Sequence, residues 1–367
     1  MNSFLCAGNV FSSILYIVIA ILILMLMITI HELGHYTAGK LLKFKINEFS
    51  IGFGKALFSK DLKSGEKFSI RLIPLGGYCA FEGEDADSEV KGAFNNQKCW
   101  KRLIVLFSGA FFNFLSAILF SIVLLMVVGN GTPYVASVNS TLADGVTENP
   151  NYAIIQEDDV ILEVNGKRPT FLNGGITQLL AEYDVREKIE LTIERDGEVL
   201  AEPLIVEKYA YYEYDDFGNK IEYGAIGFQS GLVKYNFGEA LLKAVPFCGE
   251  TAWECLVILG KLVIGQYGVS DIGGPITTVK AIAKASSINF TNILLLIPLI
   301  AVNLAVFNLL PIPALDGGRM VFVIIEWIRR KPINRNLENK IHTIALVILF
   351  TLVIIIDILQ IFVFRRI

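Results

Sequence analysis

The pentapeptide HELGH at residues 31–35 follows an uncharged apolar run, residues 14–30, that reads ILYIVIAILILMLMITI. On an α-helix, His31 and His35 are four residues apart and share one face, so both imidazoles can bind one zinc ion. Glu32 lies beside them and can accept a proton from water bound to that metal. Because ionisable side chains are costly within a bilayer and usually functional there, this stretch predicts a membrane helix that carries a zinc site.

The composition places the chain between soluble proteins and proteins that lie wholly in the membrane. It has 367 residues, of which 53% are hydrophobic, and a mean hydropathy of +0.54. These values predict a membrane part and one folded soluble domain. The net charge of −4 argues against nucleic acid as a partner. The first 30 residues contain no lysine or arginine, so the basic region of a cleavable signal peptide is missing and we expect the first apolar run to be retained.

Four apolar regions are candidates for membrane spans: residues 10–33, 103–128, 290–328 and 342–363. The third is long enough for more than one pass. We therefore predict a multi-pass α-helical membrane protein with about four transmembrane helices, a membrane-associated β-hairpin and an inserted α+β domain.

The same patterns divide the chain into four parts. Residues 1–131 form an N-terminal membrane region, 132–208 a soluble domain, 209–288 a connecting segment and 289–367 a C-terminal membrane region. In the connecting segment, the charged residues of 237–265 fall on one helical face at spacings of 4, 7, 4 and 7. That pattern predicts an amphipathic helix that lies on the membrane rather than a fifth crossing.

The distribution of charge predicts the orientation. The 40–102 loop carries twelve cations, and the turn near 329–340 carries five more. Both should be cytoplasmic, because cytoplasmic loops are enriched in lysine and arginine. The acidic 130–235 region should then lie on the outer side. The zinc motif accordingly faces the cytoplasmic side, in a protein located in the cell membrane.

Residues 46–82 are predicted to form a β-hairpin, because Phe68-Ser69-Ile70 lies in an alternating stretch and residues 63–66 have turn composition. An apolar hairpin close to the zinc motif could offer a free edge strand to an extended substrate, with Phe68, Ser69 and Ile70 pairing to it. A hairpin without that role remains the alternative.

A catalytic zinc site usually takes three protein ligands, and the motif supplies two. The remaining histidine, His342, begins the last span without a motif and is better interpreted as a satisfied or interfacial histidine. Asp316 is the candidate third ligand, since it is a lone acid in an apolar segment interrupted by Pro311 and Pro313. Irregular backbone at membrane depth is tolerated where it is buried in protein or lines a wet cavity. A solvated Asp316 in a loop at the membrane edge is the alternative.

These motifs resemble the site-2 protease family of intramembrane metalloproteases, specifically the bacterial regulator-of-sigma-E-protease type. The resemblance covers nearly the whole chain. It includes HELGH at 31–35, Gly109-Ala-Phe-Phe-Asn113 in the second span, Gly273-Gly-Pro-Ile276, and NLLPIPALDGG at 308–318.

The resemblance implies a PDZ-like domain at 132–208, a membrane-associated β-loop at 46–82, and Asp316 as the third zinc ligand. It also implies that Asn308 helps to hold an unwound substrate. Asn113 would contact substrate in the same way, although a small-xxx-polar pattern in a span is as readily explained by helix packing.

The function that follows is hydrolysis of a peptide bond in or near the transmembrane segment of single-pass membrane proteins. The substrate would be an anti-sigma factor or signal-peptide remnant, pre-trimmed by another protease. Glu32 would be the general base, zinc the cofactor, and the lipid bilayer the surroundings. A catalytically silent zinc-binding scaffold that acts through its PDZ domain is the alternative, although it would have no use for Glu32. A metal transporter fits poorly, because Asp357 is the last span's only acid.

Overall fold

The computed structural model describes residues 2–84, 88–129, 131–142, 146–170, 174–214, 220–266, 273–288 and 292–362. The chain divides into two compact units. One comprises Met1–Ser121 with Ala244–Ile367, and the other comprises Ile122–Lys243.

The first unit is mainly helical. The chain's longer helices are α1 (Asn2–Leu41), α2 (Cys99–Val127), α4 (Phe237–Val263), α5 (Pro275–Ile288), α6 (Asn292–Leu309), α7 (Asp316–Arg329) and α8 (Arg335–Phe362). Among the described residues, four helices are long and apolar enough to cross a membrane: Ile14–Leu41, Cys99–Val127, Asn292–Leu309 and Arg335–Phe362. The prediction of about four transmembrane helices is confirmed. The predicted end of the last span, residue 363, lies outside the described residues.

Two boundaries differ from the sequence prediction. Helix α1 continues to Leu41, so HELGH lies inside a helix rather than at its end. In the third apolar region, α6 ends at Leu309 and α7 begins at Asp316. Pro311 and Pro313 explain this break, because a proline lacks the amide donor and disfavours helical backbone in the residue before it.

Helix α4 is not among the four candidate spans. Within the first unit its buried positions are Ala244, Cys248, Thr251 and Cys255. Their spacings of four, three and four residues place them on one helical face, as an amphipathic helix requires.

The predicted hairpin is present as β1 (Ile46–Asp61) and β2 (Lys67–Phe81), paired antiparallel. Both strands bend, and as a result parts of each strand have a neighbouring segment on both sides. Residues 46–51 pair with 77–81 on one side and with 67–70 on the other, while residues 56–61 pair with 67–71. The bends fall at glycines with positive φ, such as Gly52 (87°) and Gly76 (120°), a conformation that other residues rarely adopt.

This register corrects the prediction for Phe68, Ser69 and Ile70. Each of them pairs with β1 residues on both sides, and Ser69, for example, faces both Ser50 and Ser59. Ser69 is fully buried. A strand with two partners has no unpaired edge to offer. The outer segments of the four-segment sheet are 77–81 and 56–61.

The turn of the hairpin is held against α1 by Glu66, whose side chain is 1% exposed. One of its carboxylate oxygens accepts hydrogen bonds from the Tyr36 hydroxyl at 2.8 Å and the Ser64 hydroxyl at 2.9 Å. The Lys40 ammonium lies 2.6 Å from the same oxygen. Burial raises the pKa of Glu66, but the hydrogen bonds from these three side chains outweigh it and lower the pKa to about 2.

We expect Glu66→Gln to loosen this attachment at a cost of about 1–3 kcal/mol, because the Lys40 ammonium and the two hydroxyls lose a charged acceptor that is itself buried. Hydrogen exchange at residues 62–66 should accelerate, whereas Glu89→Gln, at an exposed acid, should change nothing. In the parent protein the depressed pKa means that the stabilisation is present above the ordinary carboxyl pKa and is lost as pH falls toward 2. Unchanged exchange in Glu66→Gln would contradict the attachment.

The second unit contains an antiparallel sheet of order β10-β3-β4-β5-β6, with β7 also paired to β5. Its elements are β3 (Pro133–Val138), β4 (Val160–Val164), α3 (Gly175–Ala181), β5 (Lys188–Arg195), β6 (Glu198–Val199), β7 (Leu204–Glu207) and β10 (Phe228–Leu232). Between β7 and β10, β8 (Tyr209–Tyr214) and β9 (Lys220–Ala225) form a separate pair. Ile161, Ile189, Leu191 and Ile193 are among its most buried core residues.

The sequence of 160–167 predicts a strand that ends in a tight turn, 175–183 a short helix and 188–195 an alternating strand, and the structure contains all three elements. β4 ends in a tight turn in which Asn165 and Gly166 have positive φ, β5 spans Lys188–Arg195, and a helix begins at Gly175. The sheet nevertheless extends beyond the predicted domain of 132–208, because β10 pairs with β3. The sequence analysis missed this strand because its partner lies about ninety residues earlier in the chain, outside any local pattern.

Candidate metal centre

Three ligand-type side chains meet between α1 and the start of α7. His31 Nε2 lies 2.9 Å from an Asp316 carboxylate oxygen, and His35 Nε2 lies 3.3 Å from the same oxygen. The two histidine Nε2 atoms are 3.1 Å apart. His31 and His35 are buried. Among the described residues, these three form the one cluster of at least three histidine, cysteine or acidic side chains whose ligand atoms lie within 4.8 Å of one another.

This spacing fits a tetrahedral metal. Ligand atoms about 2.0–2.1 Å from a tetrahedral zinc ion lie roughly 3.3 Å from one another. The observed separations of 2.9, 3.1 and 3.3 Å are close to that value. Two neutral imidazoles and one carboxylate are also a donor set that catalytic zinc uses, and they leave the fourth position for water or substrate.

Both histidines are oriented through their other ring nitrogen. His35 Nδ1 is 2.8 Å from the backbone oxygen of Val105, so it carries the proton, and the lone pair of Nε2 faces the cluster. His31 Nδ1 lies 3.3 Å from the Asn113 amide group, whose oxygen is buried without a hydrogen-bond partner. Rotating that amide by half a turn lets its oxygen accept the His31 Nδ1 proton and leaves the Nε2 lone pair available.

A side chain of α8 binds the backbone of the loop that carries Asp316. Ala314 has a φ of 84°, which is uncommon for a residue with a side chain. Its backbone N–H donates to His342 Nδ1 at 2.9 Å. His342 therefore holds the backbone two residues before Asp316 through its Nδ1 atom.

Glu32 lies on the strand side of the cluster. Its carboxylate faces the backbone N–H of Cys79 in β2. A cavity of about 600 Å³ contains Glu32 together with the three candidate ligands, Asn113 and Asn308. The same cavity is bordered by residues 78–81 of β2 and by Glu84 and Arg319. A candidate general base, a candidate metal position and a strand edge thus share one cavity.

Comparison with known proteins assigns the family. The model of "Peptidase family M50" matches residues 19–352. The chain belongs to peptidase family M50. A protein of Fusobacterium nucleatum named "Putative zinc metalloprotease" is 32% identical over 344 residues, which cover 93% of this chain and 96% of that protein. Proteins named in the same way from Agrobacterium fabrum (30% identity; 96% and 97% covered) and Campylobacter jejuni (32%; 88% and 87%) also match.

Membership in family M50, the site-2 protease family, makes this chain a zinc metalloprotease of the membrane. It agrees with the resemblance inferred from the motifs. The structure brings together six of the residues singled out in the sequence: His31, Glu32, His35, Asn113, Asn308 and Asp316. Phe68, Ser69 and Ile70 do not line the cavity. Asn113 lines the cavity and its amide also contacts His31, which makes it a candidate for positioning that ligand.

Other residues at this M50 site carried little or no sequence signal. Val105 acts through its backbone oxygen, and residues 78–81 act as a strand edge, neither of which depends on side-chain identity. Glu84 has no spacing relation to the zinc motif. Arg319 alone had a usable signal, since it lies three residues after Asp316 on a helix and so shares a face with it.

Gly109 in α2 lies against both histidines. A Cβ atom built there would be 2.5 Å from His35 Nε2 and 2.6 Å from His31 Cε1. These distances are shorter than any real contact, so even a methyl group must displace the imidazoles. The close approach of α2 therefore depends on glycine at this position.

We expect Gly109→Ala to weaken zinc binding by roughly 10- to 100-fold, the range seen when the surroundings of a metal ligand are disturbed. Competition with a chromogenic chelator measures this. The control is Gly249→Ala in α4, where a Cβ atom meets nothing within 4 Å. Equal zinc affinity of the two alanine variants would contradict the close packing of α2 on the histidines.

Proposed function

We propose that this M50 peptidase hydrolyses a peptide bond in or near the transmembrane segment of single-pass membrane proteins. The observation that carries the proposal is the shared cavity, in which Glu32 and the His31, His35 and Asp316 cluster lie beside the unpaired edge of residues 77–81. Because the two histidines belong to a membrane-spanning helix, a substrate must reach the cavity from within or beside the bilayer.

In the proposed reaction, His31, His35 and Asp316 hold the zinc ion, which when bound polarises a carbonyl and acidifies water. Glu32 accepts the proton of the attacking water and later transfers it to the leaving amine nitrogen. The Glu32 carboxylate lines the cavity beside the backbone of Cys79. Asn113 keeps the His31 ring in place, and Asn308, on the cavity wall, is positioned to bind the main chain of an unwound substrate.

The substrate must be extended at the cleavage point, because the carbonyls of a transmembrane helix are already hydrogen-bonded within the helix. In a bilayer such freed groups need new partners. Among the residues that the structure describes, the segment 77–81 pairs with β1 on one side and with no strand on the other. We propose that the substrate adds a strand to the other side of this segment, which places its backbone next to Glu32. This replaces the predicted pairing at Phe68–Ile70, which the register excludes.

The strand proposal predicts a difference between two substitutions at Cys79. Its N–H faces the cavity rather than β1, so proline there removes a donor at the substrate edge and keeps the ladder to β1. Cys79→Ala should keep most activity, whereas Cys79→Pro should lower kcat/KM at least about 10-fold, the equivalent of one lost backbone hydrogen bond. Peptide hydrolysis is compared at matched zinc content and expression. Equal rates in the two variants would exclude pairing at this edge.

The remaining proposals concern selection and orientation. The sheet of the second unit is proposed to be a PDZ-like extracytoplasmic domain that filters substrates, and the metal site to open toward the cytoplasmic side. The acidic 130–235 region and the basic 40–102 loop support this orientation. We further propose that substrates are anti-sigma factors or signal-peptide remnants already trimmed by another protease.

The function is tested with the purified full chain in detergent and in nanodiscs, against a panel of single-pass proteins with and without their extracytoplasmic parts. We expect a cut within or near the transmembrane segment, mapped by mass spectrometry, that is abolished by a zinc chelator and restored by zinc. Trimmed substrates should be cut faster than full-length ones. A zinc-loaded protein that cuts none of them would instead support the silent scaffold.

A further inference from the structure

The outward backbone N–H groups of the edge segment 77–81 face the carboxylates of two acidic side chains. Backbone N–H groups alternate in direction along an edge strand. The Glu82 N–H donates inward to the Lys45 oxygen at 2.9 Å, so the Phe81 and Cys79 N–H groups point outward. The Cys79 N–H faces the Glu32 carboxylate, and the Phe81 N–H donates to a Glu84 carboxylate oxygen at 3.2 Å. Two carboxylates therefore stand where the carbonyl oxygens of an added strand would stand.

Glu84 is in turn held from the opposite wall of the cavity. Arg319 on α7, three residues after Asp316, forms an ion pair with the Glu84 carboxylate. The Glu84 side chain is 18% exposed and that of Arg319 is 33% exposed. Both residues border the cavity that contains Glu32 and the metal cluster. The pair therefore connects the edge strand to the helix that begins at the third candidate ligand, across the space that a substrate strand needs.

We propose that Glu84 is a built-in substitute for a substrate carbonyl and that Arg319 holds it on the Phe81 N–H. A substrate strand can pair with the Phe81 N–H only by displacing Glu84. The contacts that Glu84 makes with this N–H and with Arg319 must therefore be broken before a substrate binds next to Glu32, and they lower its affinity. This inference rests on the proposed strand addition at residues 77–81. The alternative role for Glu84 is a simple strand-end cap. Loss of such a cap would disorder the edge and weaken substrate binding.

The two roles predict opposite changes in KM. If Glu84 competes with substrate, Glu84→Ala lowers KM by about 2- to 10-fold, corresponding to one hydrogen bond that no longer has to be broken, and leaves kcat unchanged. Glu84→Gln keeps an oxygen for the Phe81 N–H but loses the charge that binds Arg319, so its KM should fall less. Arg319→Met should also lower KM, and adding it to Glu84→Ala should bring no further decrease.

The matched control is Glu82→Ala. Glu82 lies two residues away, and its carboxylate accepts hydrogen bonds from Asn47 and Ser88 rather than from the edge amides. Its removal should leave KM unchanged. Zinc content of every variant is measured alongside, since a misfolded variant would lose metal.

A second measurement does not require turnover: the dissociation constant of a fluorescent tripeptide hydroxamate, which combines a zinc-binding group with an extended backbone. It should decrease in Glu84→Ala by the same factor as KM and stay constant in Glu82→Ala. An unchanged or increased constant in zinc-loaded Glu84→Ala overturns the inference. If the parent protein binds the hydroxamate but cleaves no membrane substrate, the proposed function fails while this comparison still decides the role of Glu84.

Discussion

Replacing Glu32 with glutamine is expected to abolish peptide hydrolysis while leaving the zinc content unchanged. Glutamine has the same shape and its amide can occupy the same place beside the Cys79 backbone, but it cannot take a proton from water. Loss of a general base lowers the rate by about 10²–10⁴-fold. Glu32 is not one of the three clustered ligand residues, so metal binding should not depend on it.

The measurement combines metal analysis with cleavage of a single-pass substrate by purified protein. Glu254→Gln, at an acid of α4 outside the cavity, is the control and should behave like the parent. A zinc-loaded Glu32→Gln variant that cleaves at the parent rate would remove Glu32 from the mechanism. A variant that has lost its zinc would instead make Glu32 part of the metal site.

Replacing Asp316 with alanine is expected to lose both zinc and activity. The substitution leaves only His31 and His35 as protein ligands. We expect zinc affinity to fall by more than about 100-fold, beyond the 10- to 100-fold that loss of a supporting residue costs. Asp316→Asn should show a similar loss, because a neutral amide oxygen is a weaker zinc ligand than a carboxylate.

A second buried acid in this unit supplies the control. Asp357 in α8 is 4% exposed and accepts hydrogen bonds from the backbone N–H groups of Ile276 and Thr277 at the start of α5. Asp357→Asn keeps one of the two accepting oxygens, and because Asp357 lies outside the metal cluster the variant should retain full zinc binding. Stoichiometric zinc in Asp316→Ala at ordinary concentrations, or a structure with another third ligand, would reject the assignment of Asp316.

Much of the fold could be predicted from the sequence because the signals are local. Uncharged runs of sufficient length indicated the membrane helices, and alternation with turn residues indicated the hairpin and the strands β4 and β5. HELGH placed two imidazoles on one helical face for the same reason. The lone Asp316 beside two prolines was a local signal as well, since a charge and a broken helix are both costly in a bilayer.

The errors came from features that are not local. The hairpin was predicted, but bends at Gly52 and Gly76 double its pairing and place Phe68–Ile70 between two neighbouring segments. Strand composition does not reveal which segment becomes an edge. Similarly, β10 joins a sheet whose other strands come much earlier in the chain.

The sequence by itself determined the membrane helices, the hairpin strands, the imidazole pair, the base and the lone acid, because each depends on neighbours within a few residues. Only the tertiary structure decided three further features. Gly109 leaves room for the imidazoles, Asn113 contacts His31 and His342 contacts the loop of Asp316, and residues 78–81 form the strand edge that borders the site. The tertiary structure also decided that Glu84 covers this edge. Those features depend on distances between atoms far apart in the chain, and packing fixes such distances only once all the elements are in place.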